Sequence, residues 1–210
     1  MMTKLLITYY SSYGHMFEMA KAARNAAQEN EDYEVKLRKI PELEAAKKAM
    51  SGQDAYQVAQ EAQSDVEEVT LADLEWADGI VWGIPTRFGN MPAQVKQFID
   101  TAGGLWAEGK LEDKATGIMS SSNTLHGGQE STILTSMLPM IHFGMIFVGS
   151  TYGQNPELSD DSYHGGSPYG PSTVAGSDGS KVPVEADLNM AGRLAKRVAR
   201  VAAGIKSTKE

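Results

Sequence analysis

The sequence predicts an α/β fold: a doubly wound, five-stranded parallel sheet with strand order 2-1-3-4-5 and helices on both faces. Three observations predict it. Short apolar runs alternate with segments of helical period along the chain. The run Gly79-Ile80-Val81-Trp82-Gly83-Ile84 is apolar on both faces, as a central parallel strand must be. Polar loops follow the first, third and fourth runs, on the edge where a doubly wound sheet opens its ligand crevice.

The elements follow in order. Lys4 to Tyr10 reads as the first strand, and Met16, Met19, Ala20, Ala23 and Ala27 recur at helical spacing after it. A second strand falls near Glu34 to Lys39. Residues 41–70 are rich in Ala, Gln and Glu and weakly periodic, which suggests an acidic helical insertion. After the third strand, Asn90 suits a helix cap and Pro92 its first turn, with Val95, Phe98, Ile99 and Ala102 forming the apolar face. Gly103-Gly104 is expected to end that helix. A fourth strand runs near Ala115 to Ser120. Ile133, Leu134, Met137, Leu138 and Ile141 mark a helix kinked or ended near Pro139. Met145 to Val148 is the last expected strand, and 149–184 reads as a long Gly/Ser/Pro loop of the kind that is usually functional. An amphipathic helix closes the chain from Leu188 to Ile205. The whole, residues 1–210, is read as a single domain.

Composition narrows the chemistry. The chain contains no cysteine, which excludes disulfide scaffolds, iron–sulfur clusters, thiolate zinc sites and cysteine nucleophiles. The four histidines are too scattered to suggest a metal site. Net charge is −8, and Glu29 to Asp78 carries fourteen acidic against five basic residues, so the acid is concentrated there and reads as solvated surface. No basic stripe exists for a nucleic acid. No run approaches the ~20 apolar residues of a membrane span, and the N-terminus lacks a signal-peptide core, so a cytoplasmic protein is expected.

The loops carry the functional reading. Ser11-Ser12-Tyr13-Gly14-His15-Met16 supplies hydroxyls, a glycine and backbone N–H groups at a helix start, an arrangement suited to a phosphate dianion. No lysine follows the glycine and no GxGxxG occurs, so neither a Walker loop nor a resident dinucleotide is implied. In Pro85-Thr86-Arg87-Phe88-Gly89-Asn90-Met91, a flat ligand would account for an exposed Phe beside Arg, with Thr86 and Asn90 as hydrogen-bonding partners. Ser120-Ser121-Ser122-Asn123-Thr124-Leu125-His126-Gly127 forms a third polar loop at the same edge. Three loops converging there fit a mononucleotide with a planar ring, FMN above all.

These motifs, together with Gly103-Gly104-Leu105-Trp106, Gly165-Gly166-Ser167-Pro168-Tyr169-Gly170 and Ala175-Gly176-Ser177-Asp178-Gly179-Ser180, resemble the WrbA-type NAD(P)H:quinone oxidoreductases, FMN flavoproteins of flavodoxin-like fold. The resemblance implies that Ser11 to Met16 hold the FMN phosphate and ribityl chain. Thr86, Arg87 and Phe88, followed by Gly89 and Asn90, would meet the isoalloxazine, and Ser121, Ser122, Asn123, Thr124, His126 and Gly127 would close around it. It further implies His142 against the flavin, Tyr13 at the nicotinamide, Trp106 at the substrate, and a homotetramer or dimer whose sites are lined by more than one subunit. The family's third loop is richer in glycine. Here Asn123, Leu125 and His126 interrupt it, and Leu tolerates left-handed backbone poorly.

The activity implied is two-electron reduction of quinones by NAD(P)H through resident FMN, with NAD(P)H as a transient substrate. Arg87 and His142 are the candidate groups for stabilising charge on the reduced ring. The competing reading is a flavodoxin-like FMN electron carrier or interaction protein that docks through its acidic face without quinone turnover.

Overall fold

A computed structural model of the chain describes residues 2–208. The chain runs through β1 (Thr3–Tyr9), α1 (His15–Gln28), β2 (Tyr33–Lys39), α2 (Glu44–Met50), α3 (Asp54–Ala62), α4 (Leu71–Trp76), β3 (Gly79–Pro85), α5 (Ala93–Asp100), α6 (Gly103–Ala107), β4 (Ala115–Ser122), α7 (Gln129–His142), β5 (Ile146–Phe147), β6 (Ser172–Val174) and α8 (Glu185–Ser207). All strand pairs are parallel and the order is β2-β1-β3-β4-β5, with β6 added beside β4.

Alternation along the central strands divides the core into two layers. Leu5, Ile7 and Tyr9 of β1 and Val81 of β3 pack against Met16, Met19, Ala20 and Ala23 of α1 and Leu194, Val198 and Ala202 of α8. Ile80, Trp82 and Ile84 face the other way, onto Val95 and Ile99 of α5 and Ile133 and Met140 of α7. Every residue of β3 is buried, as its two-sided apolar run requires.

Four local expectations change. The fifth strand position is shared: Ala115 and Thr116 of β4 pair with Ile146 and Phe147, whereas Ser120, Ser121 and Ser122 pair with Ser172, Thr173 and Val174. The segment expected as one long loop over 149–184 therefore supplies half of an edge strand and also a 3-10 turn, Pro156–Ser159. Gly103-Gly104 opens α6 instead of ending α5, which stops at Asp100. The helix α7 ends near Pro139 as expected, at His142. Asn90 does not cap α5, whose cap position is Pro92; its Oδ1 accepts from the Met91 N–H at 2.8 Å instead.

Candidate functional site

The carboxyl ends of β1, β3 and β4 open onto a cleft of about 700 Å³. Its walls come from all three expected loops: Ser11, Ser12, Tyr13, His15 and Met16 after β1, Thr86 and Arg87 after β3, and Ser121, Ser122 and Asn123 at the end of β4. This volume falls in the range of small-molecule sites.

The first loop is built to receive an anion. Gly14 takes a left-handed conformation (φ 93°) that turns the chain into α1, and its N–H donates to Ser11 Oγ at 3.1 Å. Among the described residues, the N–H groups of Ser12, Tyr13, His15 and Met16 have no protein acceptor. Such a set at a helix start, with the helix dipole behind it, suits a phosphate. Burial pushes the His15 ring below the usual imidazole range, against the opposing pull of the Lys181 and Gly179 carbonyls, so the ring stays neutral at the mouth of α1.

The second loop is a tight reversal. Arg87 and Asn90 exchange backbone hydrogen bonds of 2.8 and 3.1 Å, and Phe88 (φ 53°) and Gly89 (φ 77°) are both left-handed between them. That is the turn geometry that Asn-Gly normally supplies. Phe88 adopts it at a steric cost and is 106 % exposed. Thr86 secures the base of the turn: its Oγ1 accepts from the Gly89 N–H at 3.1 Å and from Thr132 Oγ1 at 2.8 Å, and its N–H donates to the Ser121 carbonyl at 2.9 Å.

The third loop divides. Ser121, Ser122 and Asn123 face the cleft, but His126 turns to a neighbouring hollow with Leu125, Tyr152 and His164. Thr124 and Gly127 close a turn, the Gly127 N–H donating to the Thr124 carbonyl at 3.0 Å. The left-handed position falls on Gly128 (φ 100°), where α7 begins, and Leu125 keeps an ordinary negative φ. The substitutions in this loop thus avoid the strain expected of Leu125.

Trp106 and His142 lie elsewhere. They share an apolar hollow of about 680 Å³ with Met91, Leu138, Pro139 and Phe143, beside Asn90 rather than inside the cleft. Both are exposed.

Several contributors escape the sequence reading. The 41–70 insertion is a wall of the cleft, through Met50, Gln53 and Ala55, and Gln53 Oε1 accepts from the Tyr13 hydroxyl at 2.7 Å. Gln60 Nε2 donates to the Ser11 and Ser12 carbonyls at 3.0 and 3.1 Å, and Gln63 Nε2 to the Ser11 carbonyl at 3.0 Å. A composition of Ala, Gln and Glu gives no hint of these contacts. Ser177, Asp178 and Gly179 also line the cleft, and here the Ala175–Ser180 motif is the signal that points to them.

A cleft of this kind, at the point where a parallel 2-1-3-4-5 sheet reverses its winding, defines a flavodoxin-like nucleotide-binding protein. Its fold matches a WrbA-like flavodoxin from Agrobacterium tumefaciens, with a TM-score of 0.64 at 25% identity over 96% of this chain and 98% of that one. Residues 10–155 match the model of the NADPH-dependent FMN reductases, and the chain belongs to that family. It is 43% identical to the NAD(P)H dehydrogenase (quinone) of Geotalea daltonii over 199 residues, 95% of this chain and 96% of the relative. It is also 43% identical to NAD(P)H dehydrogenase (quinone) 3 of Rhizobium meliloti, covering 97% and 94%. Among the described residues no helix is long and apolar enough to cross a membrane, and no cluster of His, Cys, Asp and Glu could hold a metal ion.

Proposed function

We propose that this chain is an FMN-dependent NAD(P)H:quinone oxidoreductase. The observation that carries the reading is the run of unpartnered N–H groups at the start of α1, set in a cleft that the β3 and β4 loops complete. FMN supplies the redox chemistry, and the protein supplies binding, orientation and electrostatics. The Ser11 to Met16 loop holds the phosphate. Thr86, Arg87, Phe88, Gly89 and Asn90 would meet the ring, and Ser121, Ser122 and Asn123 would border it, with the Thr124 to Gly127 turn closing that loop. With FMN bound, hydride would pass from NAD(P)H to flavin N5, and after the oxidised nicotinamide left, a quinone would take both electrons at the same place, a ping-pong cycle.

Tyr13, at the mouth of the cleft, borders the nicotinamide. The hollow holding Trp106 and His142 shares no lining residue with the chain's own cleft, which supports a homotetramer in which these residues reach the flavin and substrate of a neighbouring subunit. The protein works in the cytoplasm as one domain. The electron-carrier reading is weaker, because the acidic insertion turns Gln53, Gln60 and Gln63 inward onto the first loop and builds the cleft.

Anaerobic stopped-flow mixing of the FMN-loaded protein with NADH or NADPH tests this. Bleaching of the flavin band, and its return on adding a quinone, is the expected result. A protein that binds no FMN by calorimetry, or whose flavin ignores both nicotinamides, overturns it.

A further inference from the structure

Arg87 is an exposed side chain with no carboxylate partner among the described residues. Two contacts hold its guanidinium: Nη1 donates to the Thr86 carbonyl at 3.0 Å, and Nη2 to Ser12 Oγ at 3.2 Å. The second contact opens a chain. Ser12 Oγ donates to Tyr10 Oη at 2.9 Å, and Tyr10 Oη donates to Glu42 Oε2 at 2.7 Å. The other Glu42 oxygen accepts from Gln94 Nε2 and, at 2.9 Å, from the Leu43 N–H.

The direction of this chain is fixed at both ends. A guanidinium can only donate and an ionised carboxylate can only accept, so each hydroxyl between them has one available orientation. Both protons point away from the cleft, toward Glu42. The Ser12 hydroxyl therefore presents a lone pair to Arg87 and has no proton left for an anion in the cleft. Ser11 differs: its Oγ accepts from the Gly14 N–H and keeps its own proton. Tyr10 and Ser12 are 2 % and 4 % exposed, so water does not compete for these bonds.

We propose that Tyr10 and Glu42 are positioning residues that act through Ser12 to aim Arg87, and that the Ser12 hydroxyl serves this anchor instead of the FMN phosphate. The proposal rests on the FMN reading above. Glu42 lies just after β2, at the head of the insertion, so its charge acts on Arg87 through two hydroxyls rather than by contact. An Arg87 fixed in advance needs no ordering when the ring becomes negative on reduction. Loosening it weakens reduced FMN more than oxidised FMN, by roughly 2- to 10-fold, the factor for freeing one long side chain.

The test is a double-mutant cycle on Tyr10→Phe and Arg87→Ala. Its readouts are the ratio of reduced to oxidised FMN affinities and, in the FMN-free protein, the order of the Arg87 Nε–H group by NMR relaxation. Tyr10→Phe should lower the ratio 2- to 10-fold in the wild type, leave it unchanged beside Arg87→Ala, and disorder Arg87 Nε–H. An equal effect in both backgrounds, or an Arg87 that stays ordered, overturns the proposal. Should Tyr10→Phe fail to fold, Glu42→Ala removes the terminal acceptor and must give the same pattern. Failure of the wild type to bind FMN would sink the functional reading alone, since the order of Arg87 is read without FMN.

Discussion

Gly83 of β3 sits directly beside Tyr9 of β1: the two are register partners, and a Cβ built on Gly83 would lie 2.7 Å from Tyr9 Cβ and 3.1 Å from Met16 Cε. The close approach falls on the two strands whose following loops diverge to form the cleft. Gly83→Ala must push Tyr9 or the strand aside, because Tyr9 Cβ is not the free end of a flexible side chain. It should cost about 1–3 kcal/mol, read as a fall in Tm, and also weaken FMN binding by calorimetry. A variant as stable as wild type, with unchanged FMN affinity, would show that the strands have slack here.

Tyr9 and Gly83 also show how much was legible in the sequence. An apolar run identifies β3, and polar loops after β1, β3 and β4 locate the cleft, because these signals are local in the chain. The split of the fifth strand was not legible. Ser172–Val174 is a three-residue strand inside a Gly- and Ser-rich stretch, and its pairing with Ser120–Ser122 arises only from tertiary contact. Gln60 and Gln63 were hidden for a related reason: an amide in an acidic helix looks like solvated surface until the loop it grips is folded against it. Asn90 has a side chain that suits a cap, yet the turn at Phe88 and Gly89 uses the residue first.

Gln63 is 2 % exposed, and its amide fastens the Ser11 carbonyl from the insertion. Gln63→Ala leaves that carbonyl with only the Gln60 amide, at a cost of about 1–3 kcal/mol. Gln60→Ala/Gln63→Ala should lose more than either single change, since both amides serve one carbonyl. Thermal unfolding should show a lower Tm, partly recovered by saturating FMN because the ligand binds only the folded form. An FMN affinity unchanged in the double variant would mean that the loop these amides hold is not where the phosphate binds.

Phe88 carries a left-handed backbone with its ring in solvent, so stability does not explain the side chain. Phe88→Asn restores the residue pair that this turn favours. Relief of the strain is worth about 1 kcal/mol, a rise in Tm of roughly 2–4 °C for a chain of this size. On the proposed function the exposed ring meets what enters the cleft, so the same change should lower kcat/KM for quinone reduction. A gain in stability with undiminished turnover would remove Phe88 from the site.

His164 ties the 3-10 turn at Pro156–Ser159 to the rest of the fold. Its Nε2 lies 2.9 Å from Asp160 Oδ1 and its Nδ1 faces the Gly165 carbonyl, so both nitrogens meet acceptors. Asp187 and Glu157 add negative charge nearby, the latter paired with Arg193. Burial disfavours the charged ring, but the Gly165 carbonyl and Asp160 outweigh it and raise the His164 pKa above the usual 6.5. A group raised on folding contributes its stability fully below the unfolded pKa and loses it as pH rises through the folded one. Wild type should therefore exceed His164→Gln in Tm by more at pH 6 than at pH 9. A proton NMR titration of the His164 ring should place its midpoint above 6.5. A Tm gap that is constant with pH would mean that the ring acts in its neutral form, as a hydrogen-bonded spacer.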